Sequence, residues 1–127
     1  MDETYEQYQT YERKVLVCHC YGLFGFSEAF ASEMRRTDPE CVLSRDNPHV
    51  VDAAVKFGLG KASGQYCNLV VETIPAYMNY KIEEYDGLEH IVLEFPWKQF
   101  ARALYYEDET EPILIAVRSG EVALPYE

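Results

Sequence analysis

Two periods of hydrophobic spacing divide this chain into short strands and short helices. Residues 14–21 carry Val15, Leu16 and Val17 and read as a first strand, apolar on both faces and therefore interior to a sheet. Residues 22–26 form a turn, after which Ser27 is placed to cap a helix over 28–36, with Glu28 early and Arg35 and Arg36 late. Asp38-Pro39 stops that helix, and 40–45 reads as a short edge strand or an irregular link. Asp46-Asn47-Pro48 opens a second helix, whose core stripe is Val50, Val51, Ala54, Phe57 and Gly58. Gly58, Gly60 and Gly64 weaken it towards its end.

A second strand is expected over 66–73, broken at Ile74-Pro75, and then a hairpin from 79–84 and 88–94. Asp86-Gly87 at its centre suits a type I′ turn, which needs positive φ at both central residues. Pro96 opens a helix with Trp97, Phe100, Ala101 and Leu104 on one face. An acidic link over 107–111 leads to a last strand over 113–118. The class expected is α+β: a small mixed or antiparallel sheet, a β-hairpin at 85–88, and two or three helices packed on one face. Residues 1–12 form an acidic arm with Tyr5, Tyr8 and Tyr11, and 13–127 a single domain.

Charge narrows the range of partners. With 22 Asp plus Glu against 11 Lys plus Arg, the net charge of −11 disfavours direct nucleic-acid binding and adhesion to anionic lipid. No apolar run approaches the roughly 18 residues of a membrane span. Asp2, Glu3 and Glu6 do not resemble the basic start of a signal peptide, so a reducing interior and four free thiols are expected. Cys18 and Cys20, two apart on a strand, share a face about 6.5 Å apart with parallel Cβ vectors, a poor disulfide geometry. They read as sheet-face or core thiols, with a metal or redox role as the alternative; zinc-type Cys and His pairs are missing from the sequence, and no metal or cofactor is expected.

Three groups of residues invite a chemical reading. Gly60-Lys61 lacks the serine or threonine and the earlier glycine of a phosphate loop. Tyr21, Gly22, Gly25 and Ser27 join a strand to a helix N-terminus, where free N–H groups hold anions; Arg45 and Asn47 are candidate additions to that turn. Glu83, Glu84, Asp86, Glu89 and Glu94 gather on the hairpin around Tyr85. Glu83 and Glu89 lie near cross-strand positions, and with His90 they offer the groups of a hydrolase, but a solvated acidic face that protects a sheet edge is the default.

Several segments together resemble a family of small uncharacterised proteins of tailed phages, giant viruses and some bacteria. The similarity runs through Cys20-Tyr21-Gly22 with Gly25-Phe26-Ser27-Glu28-Ala29, then Arg45-Asp46-Asn47-Pro48 with Val50-Val51. It continues in Gly58 with Lys61-Ala62-Ser63-Gly64, in Leu69-Val70-Val71-Glu72-Thr73-Ile74-Pro75, and in the stretch from Ile82 to Ile91. It covers 14–95, leaving 96–127 as an extension. Leu23 and Phe24 split the family's paired glycines, and Asn47 stands where the family has Asp. The resemblance implies a small α+β fold and a viral or mobile-element protein in the cytoplasm of an infected cell or in a virion, and it implies no reaction.

The first functional reading is a non-enzymatic accessory protein that engages a basic protein surface through Glu83, Glu84, Tyr85, Asp86 and Glu89. The alternatives are a small anionic or nucleotide-signal binder using the turn with Arg45 and Asn47, and a virion component that self-associates through the arm and the last strand. A hydrolase ranks behind them.

Overall fold

The computed structural model describes residues 12–20 and 23–125; the Tyr-rich arm, Tyr21 and Gly22 lie outside them. The elements run β1 (Glu12–Cys18), α1 (Glu28–Thr37), α2 (Pro48–Phe57), α3 (Leu59–Ala62), β2 (Leu69–Pro75), β3 (Asn79–Tyr85), β4 (Leu88–Glu94), α4 (Trp97–Tyr105) and α5 (Pro112–Arg118). The fold is mixed α+β. Two small antiparallel sheets pair β1 with β2 and β3 with β4, accompanied by five helices. The chain divides into two compact units, one of 13–74 with 82–92 and the other of 75–81 with 93–125.

The first unit is built on β1. Val15, Leu16, Val17 and Cys18 are all fully buried, so both faces of the strand are covered, as its unbroken apolar run requires. Leu16 joins Phe30, Met34, Val50, Val51, Ala54, Ala62 and Leu69 in one core. A chain of ring contacts runs through it from Phe24 to Phe26, Phe30 and Phe57, with centroids 5.3–5.5 Å apart. Ser27 caps α1 by accepting the Phe30 N–H at 3.1 Å, and Asn47 caps α2 by accepting the His49 N–H at 3.0 Å. The single long helix expected after Pro48 is two: Gly58, at φ +102°, turns the chain between α2 and α3.

The link over 40–45 is irregular rather than strand. β2 starts later than expected, at Leu69, because Tyr66 at φ +64° lies in a turn. Ser63 ties that turn down, donating to Leu59 O at 2.7 Å and accepting the Leu69 N–H at 2.9 Å. The hairpin forms as its Asp-Gly centre dictates, with Asp86 at φ +53° and Gly87 at φ +83°.

The second unit holds a smaller core of Phe100, Ala103, Ile113 and Leu114, with Tyr77, Met78, Phe95, Val117 and Leu124 against it. The expected last strand is corrected here: 112–118 is the helix α5. Pro112 sits in its first turn after an extended Glu111, and Ile113, Leu114 and Ala116 turn inward. A strand would have buried alternate residues, whereas Ile115 is exposed. The self-association expected through an apolar edge at 113–118 therefore has no strand to use, since Ile113, Leu114 and Ala116 are buried from a helix.

Candidate functional site

The hairpin and β1 meet at one carboxylate. Residues two apart in β1 direct their backbone groups to the same edge: His19 donates to Asn68 O at 2.9 Å on the β2 side, which leaves Leu16 and Cys18 facing away from it. An edge of unpaired N–H and C=O groups inside a packed unit is costly. Side chains and loop cover it as far as Cys18, and just beyond, His19 and Leu88 form an isolated antiparallel bridge that brings β4 alongside. Leu16 N–H donates to Arg45 O at 2.8 Å, and Arg45 Nη1 donates to Leu16 O at 3.3 Å. Cys18 N–H donates to Glu89 Oε1 at 2.8 Å. Glu89 and Arg45 close the arrangement with a two-point ion pair, Nη1 to Oε1 at 2.8 Å and Nη2 to Oε2 at 3.3 Å. The guanidinium also lies 3.9 Å from the Phe24 ring centroid. An acid on β4 and a base from the 41–47 link thus cover this edge up to the point where β4 itself bridges to it at Leu88.

This position corrects two expectations. Glu89 is 8% exposed, so it belongs to the interior and not to an acidic surface. Arg45 is turned to Glu89, not towards a bound phosphate. The rest of the anion turn is occupied as well. Ser27 N–H donates to Ala62 O at 2.8 Å, its hydroxyl donates to Lys61 O at 2.7 Å, and Gly25 O accepts the Gly64 N–H at 2.9 Å. Asn47 uses its side-chain oxygen on the α2 cap and its amide on Val42 O, at 3.3 Å. Both Ser27 donors expected to face an anion are thus engaged within the fold, and Tyr21 and Gly22 lie outside the described residues.

The tip of the hairpin is different. Glu83, Glu84 and Asp86 are exposed, and Tyr85 is 76% exposed. Glu84 folds back to accept the Gly87 N–H, so one carboxylate helps to hold the turn. Glu83 faces His90 across the ladder at 3.6 Å. Glu89, next along β4, points to the opposite face. Glu83, Glu89 and His90 consequently do not converge, and the hydrolase arrangement is not formed.

Among the described residues, two further clusters of ligand-type atoms are present. At the end of β1 and just past it, the Cys18 and Cys20 sulfurs are 3.6 Å apart, and Cys67 lies within hydrogen-bond reach of Cys18. Burial opposes ionisation of Cys18, but hydrogen bonds from the Asn68 backbone, Cys67 and Cys20 outweigh it and hold its thiol below the ordinary value. Burial, reinforced by the Cys18 hydrogen bond and charge, pushes the Cys67 thiol up to about 12. The second cluster joins Asp38, Cys41 and His49, whose ligand atoms all lie within 4.8 Å of one another. Sequence reasoning passed over it because the three residues follow no motif. The available signal was an aspartate ending a helix, a cysteine three residues on, and a histidine in the first turn of the next helix.

Among the described residues no helix is long and apolar enough to cross a membrane. Comparison with protein-family models, with curated proteins and with solved structures finds no match.

Proposed function

We propose that this chain is a non-enzymatic binding protein that engages a basic protein surface through the tip of its hairpin. The observation that carries the reading is Tyr85, a large ring 76% exposed beside a tight turn, with Glu83, Glu84 and Asp86 close by in the chain. A rigid aromatic anchor loses little entropy on binding, and surrounding carboxylates on a chain of net charge −11 steer a cationic partner. Glu89 contributes from inside: clamped to Arg45 and to the Cys18 N–H, it holds β4 to the body and so fixes the direction of the turn. In this reading the partner is met inside an infected cell, in keeping with the viral and bacterial family that the sequence resembles.

The test titrates the full chain against two peptides of equal length, one rich in Arg and Lys and one rich in Asp and Glu. Binding is expected to the basic peptide alone, to weaken with added salt, and to fall at least tenfold in Tyr85→Ala and in Glu83→Gln with Asp86→Asn. Asn tolerates the positive φ of position 86 and leaves the turn intact. Equal binding by these variants at unchanged melting temperature would refute the proposal.

A further inference from the structure

We propose that Asp38, Cys41 and His49 form a binding site for a divalent transition-metal ion of borderline softness, zinc being the best fit. The donor set is one carboxylate oxygen, one thiolate sulfur and one imidazole nitrogen, the three ligand types that zinc accepts together. Zinc bonds of about 2.0–2.3 Å in tetrahedral array separate neighbouring ligand atoms by roughly 3.3–3.7 Å. His49 Nε2 and Asp38 Oδ2 already stand 3.5 Å apart, and all three ligand atoms fall within 4.8 Å. Rotamer adjustments of about 1 Å complete the approach. His49 and Asp38 side chains are 58% and 43% exposed, so they are free to make them, and the fourth coordination position faces solvent.

The backbone around the three residues is held in place. Asp38 N–H donates to Met34 O at 2.8 Å as the α1 helix ends, and Cys41 N–H donates to Asp38 O at 3.0 Å, so these two ligands share one tight turn. His49 is fixed in the first turn of α2 by its N–H bond to Asn47. The same Asn47 directs its amide N–H at the Cys41 sulfur, 3.8 Å away, which is the contact that stabilises a metal-bound thiolate. The ligands thus come from two helix ends and the link between them, and a bound ion would pin that link, the segment that supplies Arg45. The balance of the binding step is simple. The Cys41 S–H bond breaks, a metal–sulfur bond forms, one proton passes to solvent, and the oxidation state of the ion is unchanged.

The experiment adds Co2+, and in parallel Zn2+, to metal-free, fully reduced full-length protein. One equivalent of Co2+ is expected to give a thiolate-to-cobalt charge-transfer band and the intense visible absorption of a four-coordinate ion, both displaced by Zn2+. One proton is released per ion bound. Cys41→Ser abolishes the charge-transfer band, and His49→Gln and Asp38→Asn each weaken Zn2+ at least tenfold, while Cys20→Ser and His90→Gln leave both unchanged. His49 is exposed and Asp38 and Cys41 are half-buried, so circular dichroism checks that each variant is folded before its metal binding is compared. A weak octahedral spectrum without charge transfer overturns the proposal. So does a spectrum that survives Cys41→Ser but is lost in Cys20→Ser, which would give the ion to the β1 thiols.

Discussion

Removing the Glu89 carboxylate is the perturbation whose cost the structure specifies most fully. Glu89→Ala deletes two charge-assisted bonds to Arg45, orphans the Cys18 N–H, and leaves a guanidinium whose side chain is only 23% exposed without its counter-charge. Breaking a buried pair from one side costs about 3–5 kcal/mol. That is a large part of the roughly 5–15 kcal/mol by which a domain is stable. Glu89→Gln keeps an oxygen for Cys18 and loses the charge, so its cost should be smaller, about 1.5–3 kcal/mol.

The double variant Arg45→Met with Glu89→Met separates two explanations. If the pair were only an ion pair, an apolar replacement would recover most of the loss. Because the pair also satisfies Leu16 O and the Cys18 N–H, the double variant should stay about 1–3 kcal/mol less stable than the parent. Urea unfolding followed by circular dichroism measures the parent, Glu89→Ala, Glu89→Gln and the double variant. A cost under about 1 kcal/mol for Glu89→Ala, or full recovery in the double variant, would refute the reasoning.

Other consequences follow from the same coordinates. Phe30→Ala removes the ring that links Phe26 to Phe57 in the buried core, and should cost about 3–5 kcal/mol in urea unfolding. Gly64→Ala places a Cβ 3.0 Å from Gly25 C and 3.1 Å from Gly25 O, so the backbone must separate; a loss of about 1–3 kcal/mol is expected by the same assay. Cys67, raised to about 12 from 9.0, binds more protons folded than unfolded at alkaline pH, so its contribution is fully present below pH 9 and lost as pH rises towards 12. Cys18, shifted the opposite way, adds its contribution as pH rises to 9 and changes nothing further above it, so the loss between pH 9 and 12 belongs to Cys67. Stability of the parent relative to Cys67→Ser should therefore narrow over this alkaline window, and a constant difference in pH-dependent unfolding would contradict the assignment.

Where local chemistry decides the structure, the sequence was legible. Asp86-Gly87 demands its turn, Ser27 and Asn47 cap the helices they precede, and the apolar run of 15–17 announced a strand covered on both faces. What covers that strand could not be read, because Glu89 lies 71 residues from Cys18 and 44 from Arg45. Charge alone placed Glu89 with its neighbours on the surface; only the register of the hairpin turns it inward. Residues 113–117 are all apolar, so periods of 2 and 3.6 fit equally well, and tertiary packing chose the helix. Asp38, Cys41 and His49 meet because two helix ends meet, which no linear spacing encodes.

The most direct test of the central idea, that a glutamate and an arginine complete the edge of β1 and thereby fix the hairpin, is native-state hydrogen exchange read at the Leu16 and Cys18 amides. In the parent both should exchange only through global unfolding. In Glu89→Ala the Cys18 amide should open locally, exchanging at least tenfold faster than the variant's own global unfolding allows. Exchange at Cys18 that still follows global unfolding in Glu89→Ala would contradict the account.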